Sequence, residues 1–264
     1  MLEIAPTHSP VFVIGSPRSG TSALVDALFS VGYHGFREGN LLPLLPVLAK
    51  TIDRHWSFFG KGGAEVLVSN VDPEKIKAKI AFIFKDVVDA LNPTAPWMDK
   101  SGNPEMIEAI PFLLTLWPDS RFIFAKRRAL ENIVSRMQKF PGNFEYHCRD
   151  WAKNMETWRH RRQSLPADCW VEIDQQDMIR KPEACAAHLA GLLNLSVGQR
   201  DTLSAIFARS RPQQTAVGTA QRVLSLDATW NEHQRQLFKL LCGPEMKAYG
   251  YSLDETYWQQ RLDE

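Results

Sequence analysis

No stretch of this 264-residue chain approaches the roughly 18 to 20 consecutive apolar residues that cross a bilayer. Residues 1–10 carry no basic segment leading into an apolar run, and the apolar stretch 41–49 is interrupted by Pro43 and Pro46. A soluble, unexported, cytoplasmic protein with no membrane partner is expected. Cysteine is scarce: Cys148, Cys169, Cys185 and Cys242 lie far apart and never in C-x-x-C spacing. That pattern excludes a disulfide framework and a zinc ribbon, and it reads as small buried residues in a reducing compartment. Charge of one sign is also missing, because 31 Lys and Arg stand against 30 Asp and Glu. A surface that coats nucleic acid is therefore not expected, and any anion site must be focused into a pocket. There is no internal repeat and no low-complexity segment. A 44% hydrophobic, 23% charged composition is that of an ordinary globular chain, read as a single α/β domain over residues 1–264.

What the chain does have is alternation. Residues 11–14 form an apolar run that reads as a buried strand, and a helix over 21–29 follows, with Leu24, Ala27 and Leu28 at helical spacing. A loop over 32–40 leads to a helical segment at 41–50, and Gly60, Gly62 and Gly63 mark 51–69 as a mobile loop. Ile76, Ile80, Ile83, Phe84 and Val87 share one face of a helix over 73–91, and Pro104 begins another that runs through Leu116. The clearest second strand is 121–125, after the turn Pro118-Asp119-Ser120, and it feeds a helix over 130–138. Residues 144–163 read as a long amphipathic helix. Trp151 and Trp158 face its core side while Arg159, His160, Arg161 and Arg162 cover the solvent side, so this basic, aromatic stretch is assigned no nucleic-acid role. A third strand at 170–173 precedes a helix over 181–193, with Pro182 in its first turn. Strand-helix repetition predicts three layers, a central mainly parallel sheet covered by helices, with ligands gathered at the carboxyl ends of the strands.

The first strand breaks into Gly15-Ser16-Pro17-Arg18-Ser19-Gly20-Thr21-Ser22 and then enters a helix. Glycines permit the tight turn, successive amides point inward, and the helix adds the positive end of its dipole, so a phosphate-like group is the natural ligand. A nucleoside triphosphatase loop of this P-loop-like form requires Lys directly after the second glycine. Here that position is Thr21, and the cation is Arg18 inside the loop. A second basic element, Lys126-Arg127-Arg128, ends the strand at 121–125, and Ser135 lies eight residues after Arg127. Arginine at a strand end and serine on the next helix can converge on a phosphate.

These residues resemble the sulfotransferases that use 3′-phosphoadenosine 5′-phosphosulfate (PAPS), more the bacterial and Golgi branch than the animal cytosolic one. The first loop is similar to the family's P-[RK]-S-G-[ST]-[ST] element. Arg127 and Ser135 match its R-x-P-x-x-x-x-x-S element in spacing, with Ala129 in place of proline. Trp97-Met98-Asp99-Lys100-Ser101 resembles W-x-D-K-[ST]. Gln214-Thr215-Ala216 with Arg222 resembles a cofactor-closing loop, although Val217 and Ala220 depart from it. Gln175-Gln176-Asp177-Met178 with Pro182 keeps only part of a Y-E-D-L and D-P pair, and Tyr249-Gly250-Tyr251 resembles the family's closing signature. The tryptophan that stacks on adenine in cytosolic members has no counterpart.

The resemblance implies PAPS as co-substrate, no metal, and a small metabolite or carbohydrate acceptor. It assigns cofactor binding to Ser16, Arg18, Ser19, Gly20, Thr21, Ser22, Arg127, Ser135 and Arg222. Arg18, Lys100 and Glu38 become the catalytic candidates, Glu38 as the base. The dipole of the helix that follows gives the same acid a purely structural use. His34 and His55 are reserve bases. The acceptor pocket is expected within 32–69, where Trp56, Phe58 and Phe59 form either an apolar wall or part of the core. A nucleotide kinase and a non-catalytic nucleotide-binding relative are the competing readings.

Overall fold

The structure, a computed structural model, describes residues 9–92, 94–209 and 223–259; Arg222 and the segment Gln214-Thr215-Ala216 lie outside the described residues. Five strands form one parallel sheet: β1 (Val11–Gly15), β2 (His34–Phe36), β3 (Trp97–Ser101), β4 (Arg121–Lys126) and β5 (Trp170–Asp174), in the order β2-β3-β1-β4-β5. The helices are α1 (Thr21–Ser30), α2 (Leu44–Phe59), α3 (Pro73–Leu91), α4 (Pro104–Glu108), α5 (Ile110–Leu116), α6 (Ala129–Lys139), α7 (Phe144–Arg161), α8 (Gln175–Arg180), α9 (Pro182–Leu193), α10 (Val197–Arg209), α11 (Leu226–Thr229) and α12 (Glu232–Ala248).

The central strands are apolar at nearly every position because both faces of the sheet are covered. Alternate side chains sort into two cores. Phe12, Ile14, Phe122 and Phe124 join Met106, Leu113, Trp151 and Trp158 on one side. Val11, Val13, Ile123 and Ala125 join Leu24, Leu28, Ala186 and Leu203 on the other. Phe12 stacks on Phe122 at 5.6 Å and Phe124 on Trp158 at 4.8 Å between ring centroids, which locks β1 and β4 in register against α7. Among the described residues no helix is long and apolar enough to cross a membrane.

The three-layer expectation holds, and the differences lie in local boundaries. The stretch 32–40 contains the edge strand β2, and 97–101, read only as a motif, is β3 beside β1. Lys100 carries a charge in what is otherwise a strand, which obscured the pattern. Helix α2 continues to Phe59, so half of the expected mobile loop is helical; its glycines begin only where the helix ends. The helix expected from Pro104 to Leu116 divides at Ala109, next to Pro111. On α3 Ala81 and Val88 are buried, Phe84 packs against the core and Ile76 and Ile80 are half-buried, while Ile83 and Val87 of the expected face are exposed. Arg159 and Arg162 do not simply cover a solvent face. Arg159 pairs with Glu245 of α12, and Arg162 joins Trp158 on Glu172 of β5. All four cysteines are buried and free.

The C-terminal segment is fastened across the end of β5. Tyr251 and Tyr257 donate to the two oxygens of Asp174 at 2.6 and 2.9 Å. Burial pushes Asp174 up to about 6, against the lowering effect of those hydroxyls and the Gln176 amide. A carboxyl whose pKa is raised by folding is penalised when it ionises, so this contribution weakens as pH rises from about 4 to about 6. Over that window Asp174→Asn is expected to gain on the native protein by up to roughly 3 kcal/mol, measured as the pH dependence of urea unfolding. Parallel curves for the two proteins would refute it.

Candidate anion and transfer site

The loop between β1 and α1 is shaped by its backbone before its side chains act. Gly15 sits at φ 131°, and a Cβ there would strike the Ala125 carbonyl of β4. Gly20 caps α1 at φ 92°, a conformation that strains any other residue, and packs against the Met178 and Gln175 side chains of α8. Part of the degraded Gln175 to Met178 motif thus backs the loop. Arg18 itself is left-handed at φ 70°. Helix α1 has no acid in its first turn, so its positive end is not neutralised from within.

Helix α6 holds this loop with three side chains on one face. Asn132 donates to the Pro17 carbonyl at 2.9 Å and to Ser19 Oγ at 3.0 Å. Ser135 Oγ accepts from Arg18 Nε at 2.9 Å, and Arg136 donates to Ser16 Oγ at 3.0 Å. Arg127, at the end of β4, donates to the Arg18 carbonyl at 3.0 Å. The two basic elements therefore form one cluster. Burial pushes the Arg18 and Arg127 guanidiniums down from their ordinary values. The hydroxyls are used unequally: Ser16 and Ser19 are fully buried and turned to α6, Thr21 is buried, and Ser22 is half-buried. Sequence reasoning missed Asn132 and Arg136, although Asn132 lies three residues before Ser135 and four before Arg136 on α6, a readable helical-face spacing. The adjoining Arg128 belongs to the core and takes no part here.

The next strand over supplies the second half. Register pairs Ile14 with Ser101, and Gly102 lies against the Gly15 carbonyl and Pro17, so the end of β3 abuts the loop. Lys100 Nζ donates to Glu38 Oε1, which brings together two catalytic candidates 62 positions apart. The turn carrying Glu38 is sewn to β3: the Gly39 amide donates to the Lys100 carbonyl at 2.9 Å, and the Asn40 amide to Ser101 Oγ at 3.0 Å. Asp99 lies under Gly39, where a Cβ would meet its carboxylate. Burial pushes Asp99 up to about 6; Ser101 opposes this and the nearby Glu38 charge adds to it.

His34 is half-buried on β2, and His55 is an exposed residue of α2 against Phe59. Trp56 is half-buried with its indole N–H on the Val71 carbonyl, while Phe58 and Phe59 are 71% and 58% exposed and so are not core. Among the described residues no group of three or more His, Cys, Asp or Glu is placed to hold a metal.

The family model described as "Sulfotransferase family" matches residues 10–199. An uncharacterized protein of Aquifex aeolicus is 25% identical over 271 residues, covering 92% of this chain and 34% of that protein, so the chain spans about a third of that relative's length. Among solved structures, the sulfotransferase domain from the Synechococcus PCC 7002 olefin synthase aligns with TM-score 0.58 and 17% identity over 95% of this chain and 98% of its own. The sulfotransferase domain from the curacin biosynthetic pathway gives 0.53 and 18% over 93% and 98%. Mouse sulfotransferase SULT7A1 complexed with PAP gives 0.53 and 10% over 91% and 85%. These likenesses show the fold. Matched by the family model from β1 to the start of α10, this chain belongs to the sulfotransferase family.

Proposed function

We propose that this protein, acting as one domain over residues 1–264 in the cytoplasm, moves a sulfuryl group from PAPS to a hydroxyl, in preference to an amine, of a small metabolite or carbohydrate. The observation that carries the reading is the contact of the two basic elements, Arg18 Nε on Ser135 Oγ and Arg127 on the Arg18 carbonyl. A nucleotide with anionic groups at both ends of its adenosine suits such a cluster. Arg127 Nε is buried and has no hydrogen-bond partner among the described residues, a donor that a phosphate oxygen fits.

PAPS supplies the activated sulfuryl group, and this chain's residues bind, orient and handle the proton. Arg18, the loop amides and the positive end of α1 hold the 5′ end, where the leaving phosphate gathers charge. Arg127 and Ser135 hold the 3′-phosphate. Lys100, at the end of β3 beside the loop, supplies a second cation for the equatorial oxygens, and Glu38 takes the acceptor proton. The Lys100 to Glu38 ion pair holds the base beside the second cation.

Binding stabilises the native state by mass action, so a thermal-shift comparison separates the readings. 3′,5′-Adenosine bisphosphate is expected to raise the melting temperature, and ATP with magnesium to leave it nearly unchanged; the opposite ranking favours a kinase. Transfer from labelled PAPS to a panel of acceptors then separates an enzyme from a binder. Glu38→Gln is expected to lower turnover about 100-fold or more while binding 3′,5′-adenosine bisphosphate normally, and full turnover in this variant removes Glu38 as the base.

A further inference from the structure

We infer that Arg136 is a positioning residue that sets the shape of the anion loop from beneath, and that Ser16 serves loop shape rather than nucleotide contact. This inference rests on the loop's proposed use as the 5′ anion site. A guanidinium buried to 3% exposure is costly unless its hydrogens are engaged. Here one terminal nitrogen donates to Ser16 Oγ at 3.0 Å and the other to Asp150 Oδ2 of α7 at 2.6 Å, while Nε has no partner among the described residues. Asp150 is in turn held by Asn154, whose amide donates to its carbonyl at 3.0 Å and to its carboxylate at 3.3 Å. The chain of contacts thus runs from α7 through Arg136 to the first residue after Gly15.

Ser16 is fully buried, and its hydroxyl oxygen is engaged by Arg136 of α6. The neighbouring Asn132 fixes the Pro17 carbonyl and Ser19 Oγ from the same helix face. Loop amides can converge on an anion only while the loop carbonyls are turned away; here Asn132 holds the Pro17 carbonyl, Arg127 the Arg18 carbonyl and the Ser19 amide the Ser16 carbonyl at 3.2 Å, while Arg136 fixes the Ser16 hydroxyl. Arg136 touches no reacting atom in this arrangement; it acts through Ser16.

The test compares Ser16→Ala, Arg136→Met and the double variant by two readouts. Amide hydrogen exchange over residues 16–20 needs no ligand and reports loop order directly. Both single variants are expected to raise exchange there about tenfold, with β4 and β5 as protected as before. Calorimetric titration with 3′,5′-adenosine bisphosphate is expected to show affinity lower by about tenfold in each single variant and no further loss in the double, because both remove one interaction. Unchanged exchange, or losses that multiply in the double, overturns the inference, since multiplication means Ser16 meets the nucleotide independently. If Arg136→Met does not fold, Ser16→Ala decides by exchange alone. If the native protein binds no 3′,5′-adenosine bisphosphate, the functional reading fails, and the exchange data still judge the clamp.

Discussion

Arg18→Ala is expected to lower the rate of sulfuryl transfer roughly a thousandfold, a loss comparable with removing a principal electrostatic stabiliser from an acyl-transfer site. The guanidinium combines a fixed backbone position with a side chain steered by Ser135. Charge on the departing phosphate oxygen grows toward the transition state, so the loss should fall mainly on kcat. Backbone strain must be separated from charge, because residue 18 sits at φ 70°, where alanine is disfavoured. Arg18→Gly relieves that strain and removes the same cation. Equal losses in the Ala and Gly variants attribute the effect to charge, whereas near-native turnover in Arg18→Gly sinks the assignment. Arg18→Lys should recover part of the rate, since it restores a point charge without the planar fork.

Arg128→Met is expected to destabilise the fold by about 3 to 5 kcal/mol, the range for breaking a buried ion pair on one side. Arg128 is fully buried and grips Glu131 with its Nε at 2.9 Å. Its remaining donors reach the carbonyls of Leu224, Ser252 and Asp254 at 2.6, 3.2 and 2.6 Å, and the Tyr257 ring lies 4.9 Å from its guanidinium carbon. One side chain thereby fastens three points of the C-terminal segment. Thermal unfolding should move down by roughly 10 °C. Arg128→Met with Glu131→Leu should recover part of the loss by eliminating the stranded carboxylate, while the three carbonyls still lack their donor. A melting temperature within 2 °C of the native protein, by the same scaling, would show the network to be dispensable.

Much of this was legible in the chain and some was not, for physical reasons. The strands 11–14 and 121–125 announce themselves because both faces of the sheet are covered and each run is almost wholly apolar. β3 does not, because Asp99 and Lys100 occupy it; the residues proposed for function there are those that break a strand pattern. β2 is three residues long at the sheet edge, too short to show a period. Arg18, Arg127 and Ser135 were found by spacing, and the structure brings them into contact, as it does Glu38 and Lys100. Within the triplet 126–128, spacing could not say that Arg127 serves the loop while Arg128 serves the core. That division is set by residues 224–257, remote in sequence. Ser16 and Ser19 are present in the motif as written, yet only the packing of α6 reveals which way their hydroxyls turn.

The pairings that define the cluster join residues 117 and 109 positions apart. Closing such long segments costs entropy before any contact compensates it, so the proposed grip on a nucleotide can form only after β1 and β4 have paired. Half-folded chains fresh from synthesis should therefore have no affinity for the donor, and ligand can accelerate folding only in its last step. A split between β3 and β4 would part Arg18, Glu38 and Lys100 from Arg127 and Ser135.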